Sequence, residues 1–321
     1  MIIITGAAGF IGSALAAELN TKGHYNLILC DDFAREDKER NWTTKAFIAK
    51  VDREDLFQWL DKMHADVEVI FHLGARTDTT EQDEALLDHL NLHYTQKLWD
   101  QCSRYEIPLI YASSAATYGG GEHGYNDNHE IIHALKPMNP YGCSKNDFDI
   151  WAMPKTEQPP HWYGLKFFNV YGPNEYHKGR MASVVFHTFN QIKASGGMKL
   201  FRSHRPDFKD GEQSRDFIYI KDVTNMLYWI WKNLPANGLY NIGTGKARTF
   251  YDLAANTFTA QGLEPNISFI DTPEDIRDTY QYFTEANMDK LRKAGYNKAF
   301  YSLEEGILDY VGGYLGAGEV W

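Results

Sequence analysis

Short apolar runs alternate with amphipathic stretches along the first half of the chain. Ile2-Ile3-Ile4 has the β-branched composition of a buried strand, and apolar residues recur at helical spacing from Ser13 to Asn20. Later apolar runs predict strands at Leu27 to Cys30, Val67 to Leu73, Leu109 to Ser114 and Trp162 to Phe168. The stretches between them predict helices at Arg53 to Met63, at Glu81 to Tyr105 and from Asn139-Pro140 onward. This alternation predicts an α/β fold with a doubly wound parallel sheet.

The pattern is looser after Pro173. It predicts an apolar helix ending near Ala194, a helix at Asp222 to Trp231 and an amphipathic helix from Leu303. Strands are predicted at Lys199 to Phe201, Ile218 to Ile220, Tyr240 to Gly243 and Ile267 to Ile270, the last of them between two helices. The residues 202–215 are predicted to form a polar loop. We therefore predict a first domain over 1–172, to which 216–243 returns. A smaller α/β domain is predicted over 173–321.

Composition and charge narrow the function classes. The chain has 321 residues, of which 43% are hydrophobic and 23% charged, as is ordinary for a globular protein. A net charge of -11 argues against a nucleic-acid-binding surface. Three cysteines without paired spacing argue against a disulfide framework and a zinc site, and indicate a reducing, cytoplasmic compartment. Neither a signal peptide nor a membrane span is expected.

A glycine-rich turn directly after the first predicted strand indicates a dinucleotide site. In Gly6-x-x-Gly9-x-x-Gly12 the first glycine permits a tight turn, the second lets the backbone approach a pyrophosphate, and the third lets helix pack on strand. The amino end of the following helix would hold the phosphates. The spacing alone is a weak signal for a dinucleotide site, because glycine-rich turns are common. Its position directly after a predicted strand makes the signal specific.

The residues after the second predicted strand leave the type of dinucleotide open. Asp31 and Asp32 favour NAD, because an acid at this distance from the glycines commonly binds the adenosine ribose. Arg35, Lys38 and Arg40 favour NADP, because they could hold a 2'-phosphate. A solvated, charged loop is the alternative to both.

Tyr141 and Lys145 are four residues apart on a predicted helix and so share one face. A fixed cation beside a phenol favours the phenolate, which can then act as a base. Ser114 lies at the carboxyl end of a predicted parallel strand, where ligands bind in such sheets. Without the other motifs, a chance surface pair and a turn serine would be the better interpretations.

These motifs together resemble the extended short-chain dehydrogenase/reductases, and the resemblance covers essentially the whole chain. It rests on the glycine turn, Asp31, Ser114, Tyr141-x-x-x-Lys145 and Asn169-x-Tyr171-Gly172-Pro173. The resemblance implies a Rossmann-type fold, a bound nicotinamide cofactor and a sugar-nucleotide substrate.

Three local features narrow the resemblance to epimerases. Ala115 and Ala116 stand where dehydratases usually carry an acidic pair. The segment His177-Lys178-Gly179-Arg180-Met181-Ala182-Ser183 closely resembles the corresponding segment of the ADP-glycero-manno-heptose 6-epimerases, and the stretch from Asp278 through Gly295 is similar to them too. Lys38 matches the family's 2'-phosphate cation, whereas Asp32, Arg180 and the longer basic segment 202–213 depart from its pattern.

The resemblance implies residue roles. Tyr141 and Lys178 would be the proton carriers for the two faces of the sugar, with Ser114 and Lys145 as catalytic partners. Cofactor contacts are implied for Gly6, Gly9, Phe10, Ile11, Gly12, Asp31, Asp32, Lys38, Arg53, Leu73, Gly74, Ala75, Arg76, Thr77, Asn91, Lys145, Val170 and Lys178. Substrate contacts are implied for Ser114, Asn169, Arg180, His187, Phe201, Arg202, Ser203, His204, Arg215 and Tyr280.

The implied activity is interconversion of ADP-D-glycero- and ADP-L-glycero-D-manno-heptose with tightly bound NADP, NAD being the alternative, for lipopolysaccharide core heptose supply. The resemblance also implies a homo-oligomer, in this family a homopentamer. The nearest rival is a UDP-hexose 4-epimerase, which would not need Lys178. A cofactor-binding regulator without turnover and a simple carbonyl reductase are the others.

Overall fold

The structure, a computed structural model, describes residues 1–277 and 280–321. Asp278, the first residue of the last family-like stretch, lies outside the described residues. The strands are β1 (Ile2–Thr5), β2 (Leu27–Asp31), β3 (Ala49–Asp52), β4 (Val69–His72), β5 (Leu109–Ser114), β6 (Trp162–Phe167), β7 (Asn169–Tyr171), β8 (Met198–Phe201), β9 (Ser214–Arg215), β10 (Phe217–Tyr219), β11 (Gly238–Ile242), β12 (Arg248–Thr249) and β13 (Ile267–Ile270).

Helices occupy most of the intervening segments. The α-helices are α1 (Phe10–Thr21), α2 (Glu39–Thr43), α3 (Leu56–Met63), α4 (Glu84–Leu87), α5 (Tyr94–Arg104), α6 (Pro140–Ala152), α7 (Val184–Ser195), α8 (Ile220–Asn233), α9 (Phe250–Thr259), α10 (Glu274–Arg277), α11 (Asp289–Lys293) and α12 (Leu303–Tyr310). Short 3-10 turns lie at Glu36–Lys38, His64–Asp66, Ala115–Tyr118, His129–Ala134 and Tyr176–Met181, and π-helical segments at Asp88–His93 and Val311–Leu315.

A parallel sheet with the order β3-β2-β1-β4-β5-β6-β11 forms the centre of the described chain. Ile2 and Ile4 belong to the apolar cluster on one face, and Ile3 belongs to the cluster on the other. Both faces are therefore covered, which is why the first strand is a continuous apolar run. The predicted α/β, doubly wound class is confirmed.

Two sequence expectations differ from the structure. The edge strand β3 was not predicted, because Val51 is its single buried residue and the apolar signal is correspondingly weak. The long helix expected from Glu81 to Tyr105 starts at Glu84 and is interrupted by the π-helical segment Asp88–His93. Such segments shift the following side chains around the helix and occur often at functional sites.

The chain returns to the central sheet late in the sequence. β11 pairs with β6, and α8 packs on α1. Outside this sheet, β7 pairs with β10 and β8 with β13 in parallel, while β9 and β12 are antiparallel. In the part of the chain that is described, no helix has the length and apolar character needed to cross a membrane.

Candidate active site

A cavity of about 600 Å³ opens at the carboxyl ends of β1, β2 and β4, and we call it the first cavity. Gly6 has φ 68°, and a Cβ there would lie 2.6 Å from the backbone nitrogen of Gly74. At Gly12 a Cβ would lie 2.2 Å from the carbonyl oxygen of Gly6. Only glycine fits either position, so the turn stays narrow enough for its backbone to face the cavity.

The first turn of α1 fits a phosphate-bearing ligand. Gly9 is the N-cap residue and has no side chain that could accept a hydrogen bond from the helix amides. Gly9, Phe10, Ile11 and Gly12 all line the first cavity. Unpaired amides at a helix amino end form an anion site, so these residues fit the pyrophosphate of a dinucleotide.

The ribose end of the first cavity combines an acid with cations. One oxygen of Asp31 accepts a hydrogen bond from the backbone N–H of Ala8 at 2.9 Å, and the other lies 3.4 Å from Nζ of Lys38. Arg35 and Arg53 line the same cavity, as Asp32 does. The carboxylate of Asp31 therefore holds the glycine turn, while three cations surround the place where a ribose would bind.

Most of the other predicted cofactor residues also line the first cavity. Leu73, Gly74, Ala75, Arg76 and Thr77 follow β4 and form its wall. Asn91 instead lies behind that wall, with 1% exposure. Its side chain accepts from the backbone N–H of Arg76 at 2.8 Å and donates to the carbonyl of Arg76 at 3.0 Å. It holds this turn in place rather than facing the cavity.

A second cavity of about 530 Å³ adjoins the first, because Phe10, Ile11, Leu73 and Lys178 line both. Ser114, Tyr141 and Lys145 line the second cavity, as Val170 does. The structure thus brings the serine that ends β5 together with the tyrosine and lysine of α6.

Helix α6 presents Tyr141 and Lys145 for local reasons. Asn139 caps the helix by accepting from the backbone N–H of Gly142 at 2.8 Å, and Pro140 occupies the first turn, where its fixed φ is favourable. Lys145 is 4% exposed and donates to the carbonyl of Ala112 at 2.8 Å. Burial lowers its pKa to about 8, with Asp149 acting in the opposite direction.

Burial and a neighbouring hydroxyl act on the pKa of Tyr141 in opposite directions. Burial raises the pKa of Tyr141, and the hydroxyl of Ser114, rather than Lys145, is the group that lowers it.

A buried ion pair supports β5 and α6 from behind. Nζ of Lys166 lies 2.7 Å from Oδ2 of Asp149, and the two side chains are 1% and 0% exposed. Asp149 also accepts from the hydroxyls of Tyr111 at 3.0 Å and Ser113 at 2.7 Å. Lys166 donates to the hydroxyl of Thr117, just after Ser114, at 2.8 Å. The pair therefore joins the serine turn to the helix that carries Tyr141.

Lys178 reaches the junction of the two cavities from the loop after β7. Its Nζ lies 5.8 Å from the ring centre of Phe10, at the glycine turn. Burial lowers the pKa of Lys178, and the nearby Glu175 opposes this effect. A lowered pKa makes the ammonium of Lys178 a better proton donor than an exposed lysine.

Four predicted substrate residues besides Ser114 line the second cavity: Asn169, Arg180, Arg215 and Tyr280. Arg215 is 6% exposed, and its guanidinium lies 5.4 Å from the ring centre of Tyr280 and 5.5 Å from that of Phe250. Its Nη1 donates to the carbonyl of Ser214 at 2.9 Å. Arg215 is thus held rigidly at the cavity, as a diphosphate contact requires.

The remaining predicted substrate residues lie away from both linings. Five predicted residues do not line either cavity within the described part of the chain: His187, Phe201, Arg202, Ser203 and His204. His187 bonds to the carbonyl of Arg180 at 3.2 Å, and the ring of Phe201 packs against Tyr280. These two support residues of the cavity wall instead of forming it.

The basic loop 202–213 is neutralised by its own acids. Arg205 pairs with Asp207 at 2.6 Å, and Lys209 lies 3.7 Å from Glu212. Arg202 lies 3.6 Å from Asp210. The loop therefore offers a substrate little net positive charge, in agreement with its three cations and three acids.

Sequence reasoning left out several residues that line the cavities. His177 lines the first cavity, and burial together with Lys38 and Lys178 lowers its pKa to about 4. Gln281 lines the second cavity and donates to the carbonyl of Gly119. The position of His177 beside Lys178 was the available signal, and Gln281 follows Tyr280 in the family-like stretch from Asp278 through Gly295.

Comparison with known proteins places this geometry in a family. The sequence profile of the NAD dependent epimerase/dehydratase family matches residues 2–243. The chain belongs to this family. Dependence on a nicotinamide dinucleotide follows from that membership, and the predicted resemblance is confirmed.

Individual relatives agree with the family. The ADP-L-glycero-D-manno-heptose-6-epimerase of Fusobacterium nucleatum is 50% identical over 325 residues, covering 98% of this chain and 98% of the relative. The protein of the same name from Nitratidesulfovibrio vulgaris strain DP4 is 44% identical, with 99% of each chain covered. The crystal structure of the Helicobacter pylori ADP-L-glycero-D-manno-heptose-6-epimerase is similar with a TM-score of 0.80 and 28% identity, over 97% of this chain and 95% of that one.

Proposed function

We propose that this protein is an isomerase that interconverts ADP-D-glycero- and ADP-L-glycero-D-manno-heptose by epimerisation at carbon 6 of the heptose. The observation that carries the proposal is the convergence of Lys178 and Tyr141 on one cavity. It occurs in a chain that is 50% identical to a relative named for this reaction. A biosynthetic role in heptose supply for lipopolysaccharide core follows from this assignment.

Epimerisation requires a proton carrier for each face of the reacting carbon. We assign one face to Tyr141 and the other to Lys178. Ser114 would donate a hydrogen bond to the reacting oxygen, and Lys145 would bind the nicotinamide ribose. A nicotinamide dinucleotide, when bound, would supply reversible hydride removal at the carbon that bears the hydroxyl.

NADP is the cofactor that we propose, held by the residues predicted for it in the first cavity. The support is the group of cations at its ribose end, namely Arg35, Lys38 and Arg53, which line the cavity although each also pairs with an acid of the chain. Asp31 does not oppose a 2'-phosphate strongly, because its oxygens are engaged by the amides of Ala8 and Asp32 and by Lys38. NAD remains the alternative outcome.

The second cavity would hold the sugar nucleotide. Asn169, Arg180 and Tyr280 supply hydrogen-bonding groups, and Arg215 supplies the rigid cation for a diphosphate. His187 and Phe201 would act through the wall residues that they touch. We assign the dinucleotide to a domain over 1–172, with 216–243 returning to it, and the substrate to 173–321.

A cytoplasmic homo-oligomer remains our prediction for location and assembly. The thiols of Cys30 and Cys102 are free and buried, as suits a reducing compartment. Native mass spectrometry of the purified protein measures both the number of subunits and the mass of retained cofactor. A mass shift equal to one NADP per subunit is expected.

The proposed reaction is tested by proton NMR of ADP-D-glycero-D-manno-heptose incubated with the purified protein. We expect the signals of the L-glycero epimer to grow without consumption of added NADPH, since a simple reductase would consume it. UDP-glucose is the matched substrate control. Turnover of UDP-glucose with none of the heptose would replace this function by a hexose 4-epimerase.

A further inference from the structure

The loop 172–183 carries Lys178 and is closed at its base by a buried acid. Glu175 is 1% exposed, and its carboxylate accepts from both the backbone N–H and the hydroxyl of Ser183, the latter at 2.6 Å. The backbone N–H of Lys178 donates to the carbonyl of Glu175 at 2.9 Å. These bonds set the shape of the loop, but they leave its placement against the glycine turn to other groups.

Asn41 on α2 supplies that placement. Its amide nitrogen lies 3.1 Å from the carbonyl oxygen of Ala8 in the glycine turn and 3.0 Å from that of Asn174 in the loop. The same nitrogen lies 3.3 Å from Nδ1 of His177, next to Lys178. A primary amide has two hydrogens, so these three acceptors share them. One side chain, 1% exposed, thus joins the turn that faces the first cavity to the loop that carries Lys178.

Asn174 extends the connection to α1 and to the end of the chain. Its side chain donates to the hydroxyl of Ser13 at 3.0 Å and to the carbonyl of Trp321 at 3.2 Å, and it accepts from the N–H of Trp321 at 2.8 Å. Its backbone is left-handed, with φ 79°. Asparagine tolerates this conformation better than most residues, and the three bonds stabilise it here. Asn174 is 0% exposed, so water does not replace these bonds.

Neither asparagine is among the described residues that line the cavities. We propose that Asn41 and Asn174 are positioning residues that hold Lys178 at a fixed place relative to the glycine turn. The inference rests on the proposed function, in which Lys178 is one of two proton carriers. A displacement of about 1 Å at such a group lowers the rate by about 100-fold, because proton transfer requires hydrogen-bond contact.

The test uses two variants and one matched control. Asn41→Leu keeps the volume of the side chain and removes its donors. Asn174→Gly removes the three side-chain bonds and keeps the left-handed backbone without strain. Asn20→Ala is the control: it removes bonds of the same kind, to the carbonyls of His24 and Ala46 and from the N–H of Ala46, at the far end of α1.

The first measurement is hydrogen exchange of the purified protein with its retained cofactor. We expect amides of residues 172–183 to exchange about tenfold faster in both asparagine variants, the scale set by one or two lost hydrogen bonds, and at the original rate in the control. Unchanged exchange over 172–183 in both variants would overturn the inference. If one variant does not fold, the other decides.

The second measurement separates kcat from KM for the heptose substrate. We expect kcat to fall by about 10- to 100-fold with KM within about twofold of the unmodified protein, whereas Asn20→Ala at a similar loss of stability keeps kcat. A fall of kcat no larger than the control's would also overturn the inference. If the unmodified protein does not epimerise the heptose, the proposed function fails on its own, and hydrogen exchange still decides whether the asparagines position the loop.

Discussion

The two proposed proton carriers are held in different ways. Tyr141 lies on α6, a regular helix of 13 residues with an asparagine cap and a proline in its first turn. Lys178 lies in a loop whose 3-10 segment, Tyr176–Met181, is kinked at Gly179. Backbone hydrogen bonds within the helix hold Tyr141 in place. The loop with Lys178 is held by side-chain hydrogen bonds, from Asn41 on α2 and from Asn174 to Ser13 on α1 and to Trp321.

The difference teaches how each position tolerates change. A helix distributes its stability over many similar backbone bonds, so the loss of one cap is modest. The loop depends on a few buried polar groups. Removing the partner of one such group lowers the free energy of unfolding by more than the loss of one helix cap does. The following changes test this contrast, from the largest expected effect to the smallest.

Removing either proton carrier should have the largest effect. Tyr141→Phe and Lys178→Met should each lower the rate of heptose epimerisation by about 100- to 10,000-fold, the usual contribution of a positioned acid or base. Initial rates from proton NMR measure this. Lys193→Met, an exposed lysine on α7, is the control and should keep the full rate. If Lys178→Met epimerises heptose at the unmodified rate, the assignment of two carriers is wrong.

The buried pair behind α6 should dominate the stability of that region. Asp149→Asn leaves the ammonium of Lys166 buried without a counter-charge and should lower the free energy of unfolding by about 3 to 5 kcal/mol. Urea unfolding measures it. The double change with Lys166→Met should recover much of the loss, since no charge is then left unpaired. A double variant as unstable as the single one would contradict this explanation.

Changing one helix cap in each region compares the helix with the loop directly. Asn139 caps α6, and Ser183 caps α7 at the end of the loop that carries Lys178. Asn139→Ala should cost about 1 kcal/mol of unfolding free energy, because it removes one cap bond. Ser183→Ala should cost about 2 to 4 kcal/mol, because it removes the cap of α7 and also a donor to the buried carboxylate of Glu175. Both are measured by urea unfolding. Equal losses would remove the contrast between the two regions.

Two neutral histidines, His72 at the end of β4 and His177 in the loop that carries Lys178, should weaken the fold in acid. Burial lowers the pKa of His72 to about 3, and burial with nearby cations lowers that of His177 to about 4. Both lie near 6.5 in the unfolded chain, which therefore binds protons that the folded protein does not. Stability should be full above about pH 6.5 and fall towards pH 4, by at most about 1.4 kcal/mol per pH unit for each histidine.

Urea unfolding at neutral pH and at about pH 5 measures this slope. His177→Gln should make this slope smaller by the contribution of one histidine, because the variant has lost one of the two groups that bind a proton on unfolding. A slope that is the same with and without His177 would show that the loop histidine is protonated in the folded protein.

Local sequence signals predicted α6 and the strands next to it. Asn139-Pro140 marks a helix start, and the apolar run Leu109 to Ser114 coincides with β5. The glycine turn was equally clear, since only glycine fits at Gly6 and Gly12. The family-like segment around Lys178 pointed to its chemistry, but the sequence did not indicate what holds the loop in place.

Other features depend on partners far along the chain. Asn41 meets Asn174 across 133 residues, and Gln281 meets Gly119 across 162. The neutrality of the loop 202–213 follows from its three cations and three acids, and the structure added which acid each cation reaches.

By itself, the sequence determined the α/β class and the glycine turn, and it predicted Ser114, Tyr141 and Lys145 as catalytic residues. The class and the turn depend on neighbours within a turn or a strand, where backbone geometry leaves few choices. Only the tertiary structure decided that Asn91 supports the cofactor wall from behind and that Asn41 joins the glycine turn to the Lys178 loop. A buried amide takes whichever donors and acceptors the folded chain brings within about 3 Å, and the local sequence does not specify them.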